Sequence, residues 1–358
     1  MITNKDKAYI FLSSLDLSYK KFSDIVSHYS CVDEVLTAID SAESFIVQEF
    51  EQKFDTIQRM LNDFSFQTFE DYLKTNNVGY VTIEDDNYPQ KLIQLDQPPF
   101  ILYYKGNLDL VNTPCIAMVG TRKPSFYGQD VTEKFAKGLT ENGFTIVSGL
   151  ALGVDKISHE TCLKYGGNTI AVLGNGFEHM YPAMNVNLSK EIAQKGLLLT
   201  EYYPSFQATS YSFPARNRII AALSKGVLVT EAGEKSGALY TKDFALELGR
   251  DVFSIPGNIN NINSKGTNNI IKSGHGACVT CVEDILNSYG VTAKSKKEKK
   301  IQLNFDEQRI YDYLTIGERS FDDLQIYTNL SVQNLNTCLT TMQIRGIIKK
   351  LPGNYYSV

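Results

Sequence analysis

The sequence predicts an α/β protein: a parallel sheet with helices on both faces, a small helical domain before it and a second small domain after it. Six short β-rich runs carry the core prediction: CIAMVG (115–120), FTIVSG (144–149), NTIAVLG (168–174), LLLTEY (197–202), GVLVTEAG (226–233) and DVFSIPG (251–257). Most end in glycine, and amphipathic stretches of about 12–25 residues separate them. In the first crossover Val131, Phe135 and Leu139 fall on one helical stripe after Gly128. Repeated strand–Gly–helix units of this kind build a Rossmann-like sheet, whose ligands lie at the carboxyl ends of the strands, where these glycines fall.

The flanking segments follow from their own patterns. In residues 1–65, Tyr9, Leu12, Leu15 and Leu17, then Phe22, Ile25 and Val26, then Val32, Val35, Leu36 and Ile39 recur at helical spacing, which predicts several short packed helices. Residues 66–111 read as an adaptor, with short strands in YVTIEDDNYP and PPFILYYKGNLDL broken by Pro98, Pro99 and Gly106. Residues 112–288 hold the Rossmann-like domain. The charged run KSKKEKK (294–300) marks a solvated linker over 289–302. In 303–358, three helical stretches precede IIKKLPGNYYSV, a hairpin turning at Pro352-Gly353-Asn354, which describes a winged helix.

Composition narrows the class. The chain has 358 residues, 43% hydrophobic and 21% charged, as expected of a globular protein. No run approaches the roughly 18 apolar residues of a membrane helix, and the first residues show no export signal, so a cytoplasmic protein without membrane insertion is expected. The net charge of −5 is unevenly spread: residues 1–111 hold 9 Lys/Arg against 18 Asp/Glu, residues 112–288 hold 16 against 15, and residues 289–358 hold 10 against 7. The acidity belongs to the N-terminal third, leaving room for a local cationic patch in the core. Six scattered cysteines read as reduced residues. Cys278-x-x-Cys281 lies in a short strand with no second pair, and the four histidines have no ligand spacing, so neither a metal nor a cofactor is expected.

The loop after the first core strand, G-T-R-K-P-S-F-Y-G (120–128), is neither a P-loop nor G-x-G-x-x-G. The second strand ends at Ser148-Gly149, without the carboxylate that would hold an NAD ribose. The loop does offer a helix N-terminus beside Arg122 and Lys123, a constellation suited to a phosphate. Further candidates are F-P-A-R-N-R (213–218), S-G-A-L-Y-T (236–241) and K-G-T-N-N (265–269). Arg216 and Arg218 also suit a purely structural role as clamps, and the glycines that of turn residues. No Ser/His/Asp or Cys/His arrangement suggests a catalytic centre.

In order, VGTRKPSFYG, SGLALGVD, VLGNGFEHMYP, FPARNRIIAALS, VTEAGEKSGALYT, GRDVFSIPGN and KGTNNIIKSGH resemble the motifs of the DNA-processing (DprA/Smf) family across residues 80–285. The resemblance implies a SAM-like N-terminal domain, a winged-helix C-terminal domain and no catalysis. It implies a protein that binds and protects single-stranded DNA during natural transformation, helps load the RecA recombinase and forms a homodimer through its Rossmann-like domain. Carried over, the DNA-binding residues are Gly120, Thr121 and Arg122 with Lys123, then Gly149, then Arg216, Asn217 and Arg218, then Lys265 and Gly266. Some relatives carry a lysine just after the Y-P of the third loop. Here Y-P-A-M-N (181–185) has no basic residue until Lys190, so binding there is weaker or another cation, such as Lys225 or Lys265, is recruited.

Phe126, Tyr127, Phe177, Tyr181 and Phe213 are candidates to stack on bases, although Phe213 is expected to pack in the core. In the winged helix, Gln333, Asn334, Gln343 and Arg345, with Lys349 and Lys350 on the wing, suggest a groove-reading surface. Its scarcity of cations favours a protein contact instead. The acidic N-terminal domain is expected to be a docking module. The competing reading is a related enzyme that hydrolyses nucleotide N-glycosidic bonds. Its P-G-G-x-G-T-x-x-E signature is replaced here by V-T-E-A-G-E-K-S-G-A-L. A nucleotide-sensing regulator is a third possibility.

Overall fold

The computed structural model describes residues 2–293 and 302–358. The chain divides into two units at residue 294. The first opens with six helices: α1 (Asn4–Ser14), α2 (Tyr19–Val26), α3 (Glu34–Asp40), α4 (Ser44–Phe50), α5 (Phe54–Asp63) and α6 (Phe66–Thr75). Strands β1 (Gly79–Thr82) and β2 (Ile101–Gly106) follow. Then strands and helices alternate: β3 (Cys115–Val119), α7 (Phe126–Glu141), β4 (Thr145–Ser148), α8 (Val154–Lys164), β5 (Thr169–Val172), α9 (Val186–Lys195), β6 (Leu197–Thr200) and α10 (Ser212–Leu223). The unit closes with β7 (Gly226–Val229), α11 (Ala238–Glu247), β8 (Asp251–Ser254), α12 (Lys265–Lys272), β9 (Ala277–Cys278) and α13 (Val282–Ser288).

All nine strands form one sheet in the order β1-β2-β6-β5-β4-β3-β7-β8-β9. From β6 to β9 the pairing is parallel. The six β-rich runs of the sequence are β3 to β8. The parallel sheet expected from the sequence spans the seven strands from β6 to β9 in the sheet order. β2 pairs antiparallel with β6, and β1 with β2, so the adaptor strands extend the sheet's edge. Residues 66–75 form α6 rather than the start of the adaptor.

Alternation along the strands explains the layers. On β4, Ile146 packs with Phe135 and Leu139 of α7 and Ile285 of α13, whereas Val147 packs with Ile219 and Ile220 of α10. On β2, Leu102 joins the α10 layer while Ile101 and Tyr103 are buried among the N-terminal helices. Phe22 of α2 stacks on Phe100 with centroids 4.1 Å apart, and Ser13 and Tyr103 share a hydroxyl hydrogen bond of 2.7 Å. Lys91 ties the lead-in to the core: its Nζ donates to Val111 O (2.8 Å) and to Leu223 O at the end of α10 (3.2 Å). Burial pushes its pKa below the usual lysine range. Among the described residues, no helix is long and apolar enough to cross a membrane.

The second unit contains α14 (Phe305–Thr315), β10 (Arg319–Ser320), α15 (Phe321–Thr328), α16 (Val332–Ile344), β11 (Lys349–Leu351) and β12 (Tyr355–Ser357). Capping boxes start α14 at Asn304 and α15 at Ser320. Ile310, Leu324, Leu335, Leu339 and Tyr356 form its core. The hairpin turns where the sequence places it, and β10 adds a strand too short to show in the sequence, giving the order β10-β12-β11. The charged run 294–300, expected as a linker, lies outside the described residues.

The stacked Phe22 is 4% exposed. Phe22→Ala is expected to lower stability by about 3–4 kcal/mol. Urea unfolding will read this as a lower midpoint at unchanged slope.

Candidate nucleic-acid interface

The parallel part of the sheet reverses its order at β3, which has β4 on one side and β7 on the other. A crevice opens outside the strand ends at such a switch point. Here it is a cleft of about 770 Å³, lined among others by Thr121, Arg122, Lys123, Arg216, Asn217 and Asn263. A small pocket beside it, edged by Gly149, Tyr181 and Pro182, shares Arg122, Phe213 and Arg216 with the cleft.

The β3 loop is wedged in place. Thr121 N donates to Glu231 O (2.7 Å), and Val154 N at the start of α8 donates to Thr121 O (3.2 Å). A side chain at Gly120 would meet Val154 and the Glu231 carbonyl. Arg122 and Lys123 are left exposed at the mouth. Arg122 lies over the Phe213 ring at 5.7 Å, and Tyr181 is 5.4 Å from the same ring. Phe213, expected in the core, is therefore a half-buried wall of the cleft, because α10 begins at the cleft rather than beneath it.

The helix N-terminus expected to take a phosphate already holds an anion of the protein's own. Glu231, 1% exposed just beyond β7, accepts from Ser125 N (2.8 Å) and Ser125 Oγ (2.7 Å), and from Asn261 Nδ2 (3.4 Å). Ser125 is the N-cap of α7 and its Oγ accepts from Gly128 N (3.1 Å), so a carboxylate of the protein already sits against the helix end that a ligand would otherwise use. The cations at the mouth are the exposed side chains of Arg122 and Lys123.

Arg216 forms the cleft floor. Its Nη1 donates to Gly149 O (2.7 Å) and to Val172 O, joining the ends of β4 and β5 to α10. A methyl group on Gly149 would come within 2.4–2.7 Å of the guanidinium, so glycine is what lets the group lie flat there. Burial pushes the Arg216 pKa down to about 10, against the pull of Asp155, so the group stays charged at neutral pH. Asp155 accepts from Gly149 N (3.0 Å) and Ala151 N (3.3 Å), and burial raises its pKa despite Arg216. It is the one carboxylate among the described residues lining the cleft, which makes the cleft cationic. Asn217 Nδ2 donates to Gly237 O (3.4 Å), linking α10 to the S-G-A-L-Y-T loop, whose Tyr240 also lines the cleft.

The structure thus brings together Gly120, Thr121, Arg122, Lys123, Arg216 and Asn217, with Gly149 in the adjoining pocket. It does not bring Arg218 there. Two residues along a helix are about 200° apart, and Arg218 faces away from the cleft, paired with Glu201 at 2.5 Å. Nor does it bring Lys265 or Gly266. Gly266 packs α12 against the Ala232 and Gly233 carbonyls, and Lys265 is exposed but outside the cleft lining. Lys225 precedes β7, at the opposite end of the strands, with its Nζ 5.7 Å from the Tyr289 ring, so it cannot replace the missing lysine. Glu231, Asp155 and Asn263 escaped the sequence reading because a buried carboxylate or a loop amide carries no spacing signature.

A cationic crevice at the switch point of a doubly wound sheet, walled by an aromatic ring, defines a protein of the Rossmann-like class. The chain belongs to the DNA recombination-mediator protein A family, whose model matches residues 79–290. It is 35% identical to Protein Smf of Synechocystis, over 81% of this chain and 82% of that one. It is 46% identical to DNA processing protein DprA of Streptococcus pneumoniae, over 58% of this chain and 73% of that one. Among solved structures, the X-ray structure of the Streptococcus pneumoniae protein superposes with a TM-score of 0.65 at 35% identity, covering 80% of this chain and 98% of that one. That of DNA processing protein A from Helicobacter pylori, which concerns its single-stranded DNA binding mode, gives 0.54 at 36% identity, covering 59% and 95%.

One prediction tests the cleft floor and a second a buried histidine of α8. Gly149→Ala is expected to displace Arg216 and cost about 1–3 kcal/mol of stability, measured by urea unfolding. His159, fully buried with Nδ1 2.6 Å from Thr169 Oγ1, has its pKa pushed down to about 3 by burial and by the Arg216 charge. The unfolded histidine titrates near 6.5, so the unfolded state binds the extra proton between these values and stability falls as pH drops through that window. In His159→Gln this contribution is absent. Below pH 6.5 the stability of wild type is expected to fall relative to the variant by on the order of 1.4 kcal/mol per pH unit.

Proposed function

We propose that this protein binds single-stranded DNA in the switch-point cleft and acts as a recombination mediator, protecting the strand and helping RecA load onto it during DNA uptake. The observation that carries the reading is the convergence of Arg122, Lys123 and the buried Arg216 on one crevice in a chain of this family. The structure of the Helicobacter pylori relative, which concerns single-stranded DNA binding, supports the same ligand. Exposed Arg122 and Lys123 meet the phosphates, while Phe213 and Tyr181 offer ring faces to bases. In this reading Arg216, Asn217 and Gly149 shape the floor, and Gly120 and Thr121 set the loop. In this reading the protein works without catalysis, and Asp155 serves the floor by accepting from the Gly149 and Ala151 amides.

RecA and a second copy of the chain, through the Rossmann-like domain, are the proposed protein partners, and the cytoplasm the proposed location. The C-terminal unit is read as a winged helix that serves a protein contact. Its Arg345 is engaged by Glu307 (3.1 Å) rather than offered to a DNA groove. Residues 1–65, acidic as a group with residues 66–111, are read as a docking domain.

Fluorescence anisotropy with labelled single-stranded and duplex oligonucleotides across a salt series tests the proposal. Wild type is expected to prefer single strands. Arg122→Ala is expected to bind about tenfold more weakly, with the salt slope reduced by about one. Equal binding of both forms of DNA, or an unaffected Arg122→Ala, overturns it.

A further inference from the structure

We propose that a shelf beside the cleft, between the start of α7 and the loop 256–263, is a second nucleobase subsite that takes the continuation of the bound strand. The inference rests on the single-stranded DNA reading of the cleft. The shelf encloses about 490 Å³ and is lined by Tyr127, Pro256, Gly257, Asn258 and Asn261. Tyr127 donates its hydroxyl hydrogen bond to Pro256 O at 2.6 Å, which holds the ring in one place although the residue is 45% exposed. A fixed, half-exposed ring stacks on a base with little further loss of rotamer freedom.

The neighbours of these residues in the chain share the character of a stacking surface. Phe126 is 68% exposed, Ile259 82% and Ile262 71%. The segment P-G-N-I-N-N-I-N (256–263) has no charged residue, so the shelf suits bases rather than phosphates. Its asparagines, of which Asn258 and Asn260 are exposed, place amide donors and acceptors among the apolar faces. A purely apolar protein-docking patch has no need of these groups.

Continuity with the cleft identifies the occupant. Asn263 Nδ2 donates to Lys123 O (3.1 Å), and both residues line the cleft. Asn261 on the shelf binds the same Glu231 carboxylate that fixes Ser125. A strand whose phosphates sit at Arg122 and Lys123 therefore runs onto the shelf without crossing a separate element.

Phe126→Ala/Ile259→Ser, which changes two highly exposed side chains, tests this in the full-length protein. Anisotropy is compared for oligothymidylates of about 6 and about 20 nucleotides across a salt series. The double variant is expected to bind the longer oligonucleotide about tenfold more weakly and the shorter one as wild type does, with the salt slope unchanged. Unchanged binding of the longer strand, or equal weakening of both, overturns the shelf. So does a shift in self-association, followed by sedimentation velocity, with DNA binding intact; that outcome makes the surface a protein contact. Arg122→Ala runs alongside. If it weakens both lengths while the double variant weakens neither, the cleft reading stands and the shelf alone falls. If it weakens neither, the cleft reading falls and the shelf with it.

Discussion

Glu231 is a carboxylate held at 1% exposure where β7 ends, and three segments meet on it. It receives the N-cap of α7 through Ser125 and the loop after β8 through Asn261, and its own carbonyl receives Thr121. A buried charge is tolerated only where hydrogen bonds replace its lost hydration. Those bonds therefore dictate where the β3 loop can run. Arg122 and Lys123 point outward because the backbone on either side of them is pinned, by Thr121 on one side and Ser125 on the other. The exposed cations at the cleft mouth are thus placed by a buried carboxylate of the protein's own.

A second buried charge complements the first. Arg216 joins the ends of β4 and β5 to α10 and faces Asp155, whose oxygen holds the turn after β4. The result is a hydrogen-bonded floor carrying positive charge, beneath a rim whose cations are exposed. Arg218 and Glu201 form a partly buried pair on the other side of α10, in a pocket shared with residues of the N-terminal helices. One helix therefore carries two arginines into two separate environments, and only the first bears on the cleft.

Much of the architecture was legible because it is written in local periodicity. The six β-rich runs became β3 to β8, and the apolar stripe after Gly128 became the buried face of α7. The Pro352-Gly353-Asn354 turn closed the last hairpin where a left-handed position was needed, at Gly353 and Asn354. The antiparallel edge made by β1 and β2 was not legible, since β2 pairs with β6 across most of the domain and such pairing leaves no mark on nearby residues. Phe213 was misplaced for a related reason. An aromatic residue at the start of a helix looks the same in sequence whether it faces a core or a cleft.

By itself, then, the sequence determined the class of fold, the strand ends at which the cleft opens, and the presence of Arg122, Lys123 and Arg216 there, because strand runs and loop composition are local properties. Tertiary structure alone decided how those groups divide the work. Helical rotation turned Arg218 away from the cleft that holds Arg216 and Asn217. The packing of α12 on residues 232–233 fixed Gly266 as a spacer. The approach of β7 to the β3 loop filled a helix N-terminus with Glu231. Each of these outcomes depends on which distant segments meet, and burial then sets the charge and the hydrogen bonds that each residue can offer.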